Sequence, residues 1–399
     1  MYPTKKFSEI AKTTSGWTPS RDKKEYWWWS IPWLKSGELW DNLNIEIAEE
    51  FITEEGFKNS SAKLFAKWTL LIAMYGATAG KLWILWFDAT TNQAVCSVQN
   101  IYNLFIEKYV YFFLLSIREK IIWDSFWWAQ PNISKSYLDN LEIPLPPLST
   151  QSKIVAKLDE AFGNIDHQIS LLKANIEDVE SVRKSAMEEF ISKNTNFKNL
   201  SEVIITNDLW LVRWQNEQSD EFDTFYIKMN NIWNFNWKIS LGKLTKINAT
   251  NDEKIKYLLR KWDLLFNTRN SFELVWKTAL FDMDWEYLFN NNILRMRFIS
   301  EISSEYINYI FLTSFIQNQL HWMKSGTTNV SAIYFKNLKN LKIPLPPLPR
   351  QQEIVGHLDR VFAQTAELRS SYEAQIRDLE TLRQSLLEEA FAGRLVSED

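Results

Sequence analysis

Two stretches of the chain keep apolar residues at steps of three and four for more than forty positions. In the first, Ile154, Leu158, Phe162, Ile165, Ile169, Leu172, Ile176, Val179, Val182, Ala186 and Phe190 recur with acids and bases between them. In the second, Ile354, Leu358, Phe362, Ala366, Tyr372, Ile376, Leu379, Leu382, Leu386 and Ala390 keep the same rhythm. That period marks one face of a helix, and it predicts helices over about 149–192 and 350–392. The segment IPLPPL precedes each (143–148 and 343–348), and its prolines impose an extended approach, so each helix starts just after them. At 1.5 Å per residue each is a rod of roughly 65 Å. Two such rods in one chain pack on each other most simply as a coiled coil; the alternative is that each folds onto its own globular neighbour.

The rods belong to a larger repeat. LEIPLPPLSTQSKIVAKLDEAF (141–162) returns as LKIPLPPLPRQQEIVGHLDRVF (341–362), 200 residues on. The globular stretches repeat more weakly: KWTLLIA (67–73) matches KWDLLFN (261–267), and AQPNIS (129–134) matches TTNVSA (327–332). Each mixes short β-like runs (70–75; 278–283; 287–298) with helical ones (109–122; 303–320), which predicts an α+β class. The expected organisation is a globular domain at 1–148, a spacer helix at 149–193, a second globular domain at 194–348 and a second helix at 349–399. One scaffold with two different surfaces suits binding two different things at a set separation.

Charge follows these segments. The globular parts carry net −1 and +3 and the helices −2 and −4, so the acid lies on the rods and a basic face on each globular part is open to nucleic acid. No run approaches the ~18 apolar residues of a membrane helix, and the first residues lack a signal-peptide core, so the expected location is cytoplasmic with no membrane partner. One cysteine, Cys96, excludes disulfide frameworks and multi-cysteine metal motifs, and three scattered histidines (His167, His321, His357) offer no metal set or triad. One count is abnormal: 20 Trp against 10 Gly, where ordinary usage predicts about 28 glycines. Many of these Trp stand where turns want glycine, as in SGWTPS (15–20), WWW (27–29) and at Trp233, Trp237 and Trp285. Two readings are open: a gene whose UGA codons mean glycine, or a tryptophan-rich surface.

No catalytic motif survives inspection. GATAGKL (76–82) is one residue short of a phosphate loop and has Leu82 in place of the magnesium-binding hydroxyl, so it reads as a tight turn. No catalytic residue, metal or cofactor is expected. Lys153, Lys157, Arg183 and Lys184 read as a solvated helix face. What remains is polar, turn-rich loops: 20–26, 33–39, 75–81 and 90–94 in the first half, 228–239, 266–271 and 324–332 in the second. Their Asn, Arg, Lys and Thr are types that pair with base edges and phosphates.

The order of globular region, IPLPPL with QxxIVxxLD, long helix, and then the whole again resembles the DNA-specificity (S) subunit of type I restriction-modification systems. GWTPS (16–20), IPWLKSGEL (31–39), LIAMYGATAGKLWILWFDATTNQAV (71–95), WWAQPNIS (127–134), WDLLFNTRNSFELVWKTALF (262–281) and SGTTNVSAI (325–333) carry the resemblance, in order, twice. The family has glycine at the positions of Trp17, Trp28, Trp29, Trp68, Trp83, Trp128, Trp262 and Trp276. The resemblance implies two target recognition domains, each reading half of a split double-stranded DNA site, and two helices packed as an antiparallel coiled coil that sets the gap. It implies two methylase (M) subunits, which bring S-adenosylmethionine and the methylating site, and restriction (R) subunits as partners of a non-catalytic chain. By motif match Lys35, Ser36, Gly37, Glu38, Tyr75, Thr78, Lys81, Thr91 and Asn92 are expected at the first half-site. Lys228, Asn230, Asn231, Asn267, Arg269, Asn270, Lys277, Thr327, Thr328 and Asn329 are expected at the second. The rival from another class is a coiled-coil adaptor without DNA specificity.

Overall fold

A computed structural model describes residues 2–38, 48–125, 132–192, 196–209, 212–232, 239–242, 244–326 and 330–396. The chain divides into two units: Met1–Leu172 with Glu373–Asp399, and Lys173–Tyr372. Both boundaries fall inside long helices, which run Leu148–Ser192 and Leu348–Phe391.

The first unit is built on an antiparallel four-stranded sheet in the order Lys12–Ser15, Val95–Gln99, Leu70–Ala73, Leu82–Ile84. The central strand is apolar on both faces, with Leu70, Leu71, Ile72 and Ala73 all fully buried. The helix Glu107–Ser116 covers one face, contributing Tyr109, Val110 and Leu114 to the core. A smaller sheet pairs Ile31–Leu34 antiparallel to Glu50–Ile52 and parallel to Thr90–Thr91. The expected helix over 109–122 is two helices, Glu107–Ser116 and Arg118–Asp124.

The second unit repeats these two sheets and adds a short three-stranded one in the order Arg269–Asn270, Ser331–Ala332, Ser325–Gly326. Its four-stranded sheet runs Ile204–Leu209, Ile293–Phe298, Leu264–Asn267, Thr278–Leu280. Its three-stranded sheet pairs Thr224–Ile227 antiparallel to Thr245–Ile247 and parallel to Tyr287–Phe289. The prolines do in both units what their geometry dictates. Each IPLPPL opens as an edge strand, Glu142–Pro144 on Thr4–Lys6 and Lys342–Pro344 on Phe197–Asn199, and the helix begins at its final Leu.

Each long helix is fastened to its globular neighbour by one buried glutamine. Gln151 accepts the Ile106 N–H at 2.9 Å and donates to the carbonyls of Leu104 and Pro146. Gln351 accepts the Ser303 N–H at 3.0 Å and donates to Glu301 and Pro346. Tyr109 and Tyr306 add equivalent bonds to the carbonyls of Pro144 and Pro344.

Within each unit the ends of the two long helices lie side by side and antiparallel. Arg383 pairs with Asp166 in the first unit; Arg183 meets Thr365, and Arg369 meets Glu180, in the second. The pairing corrects two expectations. Arg183, read as part of a solvated face, is buried at 5% exposure, whereas Val182 and Leu382, read as seam positions, are 53% and 48% exposed. An arginine stem is apolar and can fill a seam while its head finds acceptors. Lys157 stays on an exposed face, where its Nζ donates to the Leu395 carbonyl.

Candidate nucleic-acid interface

The turn after the first strand of each small sheet is the same device in both units. At Lys35–Glu38 the buried Glu38 carboxylate accepts the N–H of Lys35 at 2.9 Å and of Glu49 at 3.0 Å. At Lys228–Asn231 the buried Asn231 accepts the Lys228 N–H at 2.9 Å and donates to the Ser240 carbonyl at 3.1 Å. Both side chains therefore shape a loop from inside, leaving Gly37 and Asn230 exposed at its tip. Lys35 sits among acids: its Nζ is 2.9 Å from Glu50 and 3.0 Å from Glu49, and hydrogen bonds to Glu50 and then Glu49 hold its ammonium above the usual lysine range. Lys228 is turned toward Gln218 at 2.8 Å.

The turn after each central strand is also equivalent. Met74 donates to Ala94 and accepts from Ile133; Thr268 donates to Asn292 and accepts from Ile333. Tyr75 and Arg269, one residue on, thus occupy the same position, bridged to Asn132 and Ala332 respectively. Both are exposed. The Arg269 guanidinium has no hydrogen-bond or ion-pair partner among the described residues, so it is available to a ligand. It lines a cleft of about 290 Å³ with Thr268, Asn291, Asn292 and Tyr334. Asn291, Asn292 and Tyr334 are not marked by the sequence pattern; the triple Asn at 290–292 is the available signal, but it lies inside a run, 287–298, that predicts strand.

Lys81 and Lys277 are a further equivalent pair, their carbonyls accepting from Ala73 and Asn267. Burial lowers the Lys277 ammonium below the usual lysine range. In the first unit GATAGKL is the tight turn expected, with Gly76 and Gly80 at φ of 69° and 78°, and Thr78 bonded back to the Tyr75 carbonyl.

Four expected readers are corrected to interior positions: Glu38, Thr91, Asn231 and Asn267. Thr91 is sealed by Gly16, whose absent side chain would sit 2.1 Å from Thr91 Oγ1. Asn267 donates to Leu274 while its Oδ1 meets no partner. Asn92 is half-buried and holds its own turn, bonding Leu34 and Ala94. Ser36, half-buried, and Asn270, whose Oδ1 accepts the Ser271 N–H, complete the turns. Thr327, Thr328 and Asn329 lie outside the described residues.

Other chemistry is thin. Burial pushes the Cys96 thiol up to about 11, away from nucleophilic use. Among the described residues no cluster of His, Cys, Asp and Glu is placed to hold a metal, and no helix is long and apolar enough to cross a membrane.

Residues 2–181 and 197–377 match the family model described as the type I restriction modification DNA specificity domain. The chain is 24% identical over 288 residues to the EcoKI specificity subunit of Escherichia coli (strain K12), covering 67% of this chain and 60% of that one. It is 30% identical over 172 residues to the EcoR124I/EcoR124II specificity subunit of Escherichia coli, covering 42% of each. The matches thus span about half of these relatives' length. A chain in a structure describing complex assembly and conformational transition of the type I R-M system aligns with a TM-score of 0.78 at 17% identity, over 99% of this chain and 98% of that one. The HsdS subunit from Thermoanaerobacter tengcongensis aligns at 0.54 and 16%, over 99% and 97%. These structural likenesses establish the shared α+β fold with its long helices.

Proposed function

Because this chain belongs to the type I restriction modification DNA specificity family, we propose that it is the non-catalytic specificity subunit of such a system, reading a bipartite, asymmetric DNA target. The observation that carries the reading is the repeat itself: two units of one plan present different chemistry at the same place, Tyr75 in one and Arg269 in the other. Arg pairs bidentately with guanine O6 and N7, which a tyrosine cannot do, so the two half-sites differ.

In this reading segments 1–148 and 194–348 are the recognition domains, and 149–193 and 349–399 are spacer helices that set the distance between half-sites. Tyr75, Thr78 and Lys81 serve the first half-site, with Ser36 and Gly37 at a second turn. Arg269, Asn270 and Lys277 serve the second, with Lys228 and Asn230 at its second turn and Asn291, Asn292 and Tyr334 added from the cleft. Glu38, Thr91, Asn92, Asn231 and Asn267 hold those turns in shape. Two M subunits dock on the chain and carry S-adenosylmethionine and the adenine-methylating centre; R subunits add cleavage. The chain's mechanism is positioning: phosphate contacts fix register, base-edge contacts select sequence, and the docked methylase takes the adenine out of the stack. The complex works on DNA in the cytoplasm.

Single-molecule sequencing for N6-methyladenine in the native host, with this gene or the methylase gene of its system intact or deleted, tests this. A two-part asymmetric methylated motif that needs both genes is expected. A soluble complex of the two that leaves DNA unmarked overturns the reading in favour of a coiled-coil adaptor.

A further inference from the structure

Tryptophan is usually well buried on average, yet Trp28, Trp29, Trp123, Trp214, Trp285 and Trp322 are each more than 70% exposed. Two aromatic pairs lie at the surface, Trp29 stacked on Phe51 and Trp68 against Trp86. Taken at face value these are docking patches. The backbone argues otherwise. Among the described residues three that are not glycine have positive φ: Asn103, a type that tolerates it, Trp68 at 74° and Trp262 at 73°. The two tryptophans stand at equivalent turns of the two units, each after a lysine, donating across a hairpin to Leu85 at 2.6 Å and Phe281 at 2.7 Å. A left-handed turn at that place is therefore built into the repeated plan, and glycine alone adopts it without a steric penalty.

We infer that Trp68 and Trp262, with exposed tryptophans such as Trp28 and Trp29, are glycine in the protein its own cell makes, a UGA codon being read there as glycine. The deficit of glycine, 10 where about 28 are ordinary, is then the same fact as the excess of tryptophan. The inference is selective. Trp33 is fully buried and its indole donates to the Trp17 carbonyl at 3.1 Å, so it remains tryptophan. The exposed aromatic clusters cease to be docking surfaces, and the turns beside the central strands lose their bulk.

Peptide mass spectrometry of the protein purified from its native host decides the matter. Glycine at positions 68 and 262 with tryptophan at 33 is expected; tryptophan at 68 and 262 overturns the inference. A second measurement compares recombinant protein as written with the double variant Trp68→Gly/Trp262→Gly. The variant's unfolding midpoint is expected to rise by about 2–4 °C or more, and the absence of any rise also overturns it.

Discussion

Arg183 Nε donates to Thr365 Oγ1 at 2.7 Å, and the guanidinium lies 5.1 Å from the centre of the Phe362 ring. Its equivalent 200 residues on, Arg383, stands 4.9 Å from Phe162 but pairs with Asp166 nearer the surface. One motif thus has two environments. Arg183 has almost no exposed side chain and also reaches Glu180 and the Phe362 carbonyl. Arg183→Ala should therefore destabilise the second unit by about 2–4 kcal/mol, through lost packing and orphaned acceptors. Arg383→Ala should cost the first unit under about 1 kcal/mol, as an exposed pair does. Denaturant unfolding of the two variants checks this, and equal losses would refute the distinction.

The same arginines show where the sequence was readable. Period held over forty residues disclosed both long helices and their starts, because prolines and an amphipathic stripe are local signals. Which residues fill the seam was not local: Val182 and Arg183 differ by one position, and only the partner helix decides that the arginine turns inward. The turns gave a similar lesson. Glu38 and Asn231 were visible as polar loop residues, but the sequence does not say whether a polar side chain faces a ligand or its own backbone. The pattern over 287–298 predicts one strand, but strand pairing stops at Phe289 and resumes only at Ile293, leaving Asn291 and Asn292 beside the cleft.

The glutamine latches give a matched pair of tests. Gln151 and Gln351 are both buried, and each satisfies one N–H and two carbonyls that link helix to globular part. Replacing either with Leu leaves those groups unpaired, at about 1–3 kcal/mol for each buried group. Gln151→Leu should lower the first unit's stability and Gln351→Leu the second's, by similar amounts. Hydrogen exchange at the Ile106 and Ser303 amides reports each break directly, and unchanged protection there would dismiss the latch.

The acid network around Lys35 predicts a pH window. Burial pushes the Glu50 carboxyl up, but hydrogen bonds from Arg21 at 2.5 Å and Lys35 at 2.9 Å outweigh it and hold the group below its usual range. A depressed carboxyl adds stability above its unfolded pKa, about 4.3 for glutamate. That contribution is lost as pH falls through the lower folded value. Lys35 is raised, so its share is present below the ordinary lysine pKa and is lost only as alkaline pH passes the folded value. Acid should therefore loosen the sheet of Ile31–Leu34 and Glu50–Ile52, and Glu50→Gln should flatten that dependence. Exchange rates at the Ile31, Trp33 and Leu34 amides, corrected for intrinsic pH effects, measure it; an unchanged acid profile in Glu50→Gln would sink the assignment.

The proposed readers separate from their supports by what each loses. Arg269 projects from a turn held by the main-chain bonds of Thr268, so Arg269→Ala removes a ligand contact and leaves the fold intact. A lost bidentate guanine contact is worth about 1–3 kcal/mol of discrimination, and it should relax one position of the second half-site while the first stays strict. Asn231→Ala instead frees the Lys228 N–H and the Ser240 carbonyl, loosening the whole turn, so binding weakens across sequences and the unit melts earlier. Methylation motifs of the two variants, read beside their melting curves, distinguish the outcomes. Relaxation of both half-sites by Arg269→Ala would mean that the two domains do not read independently.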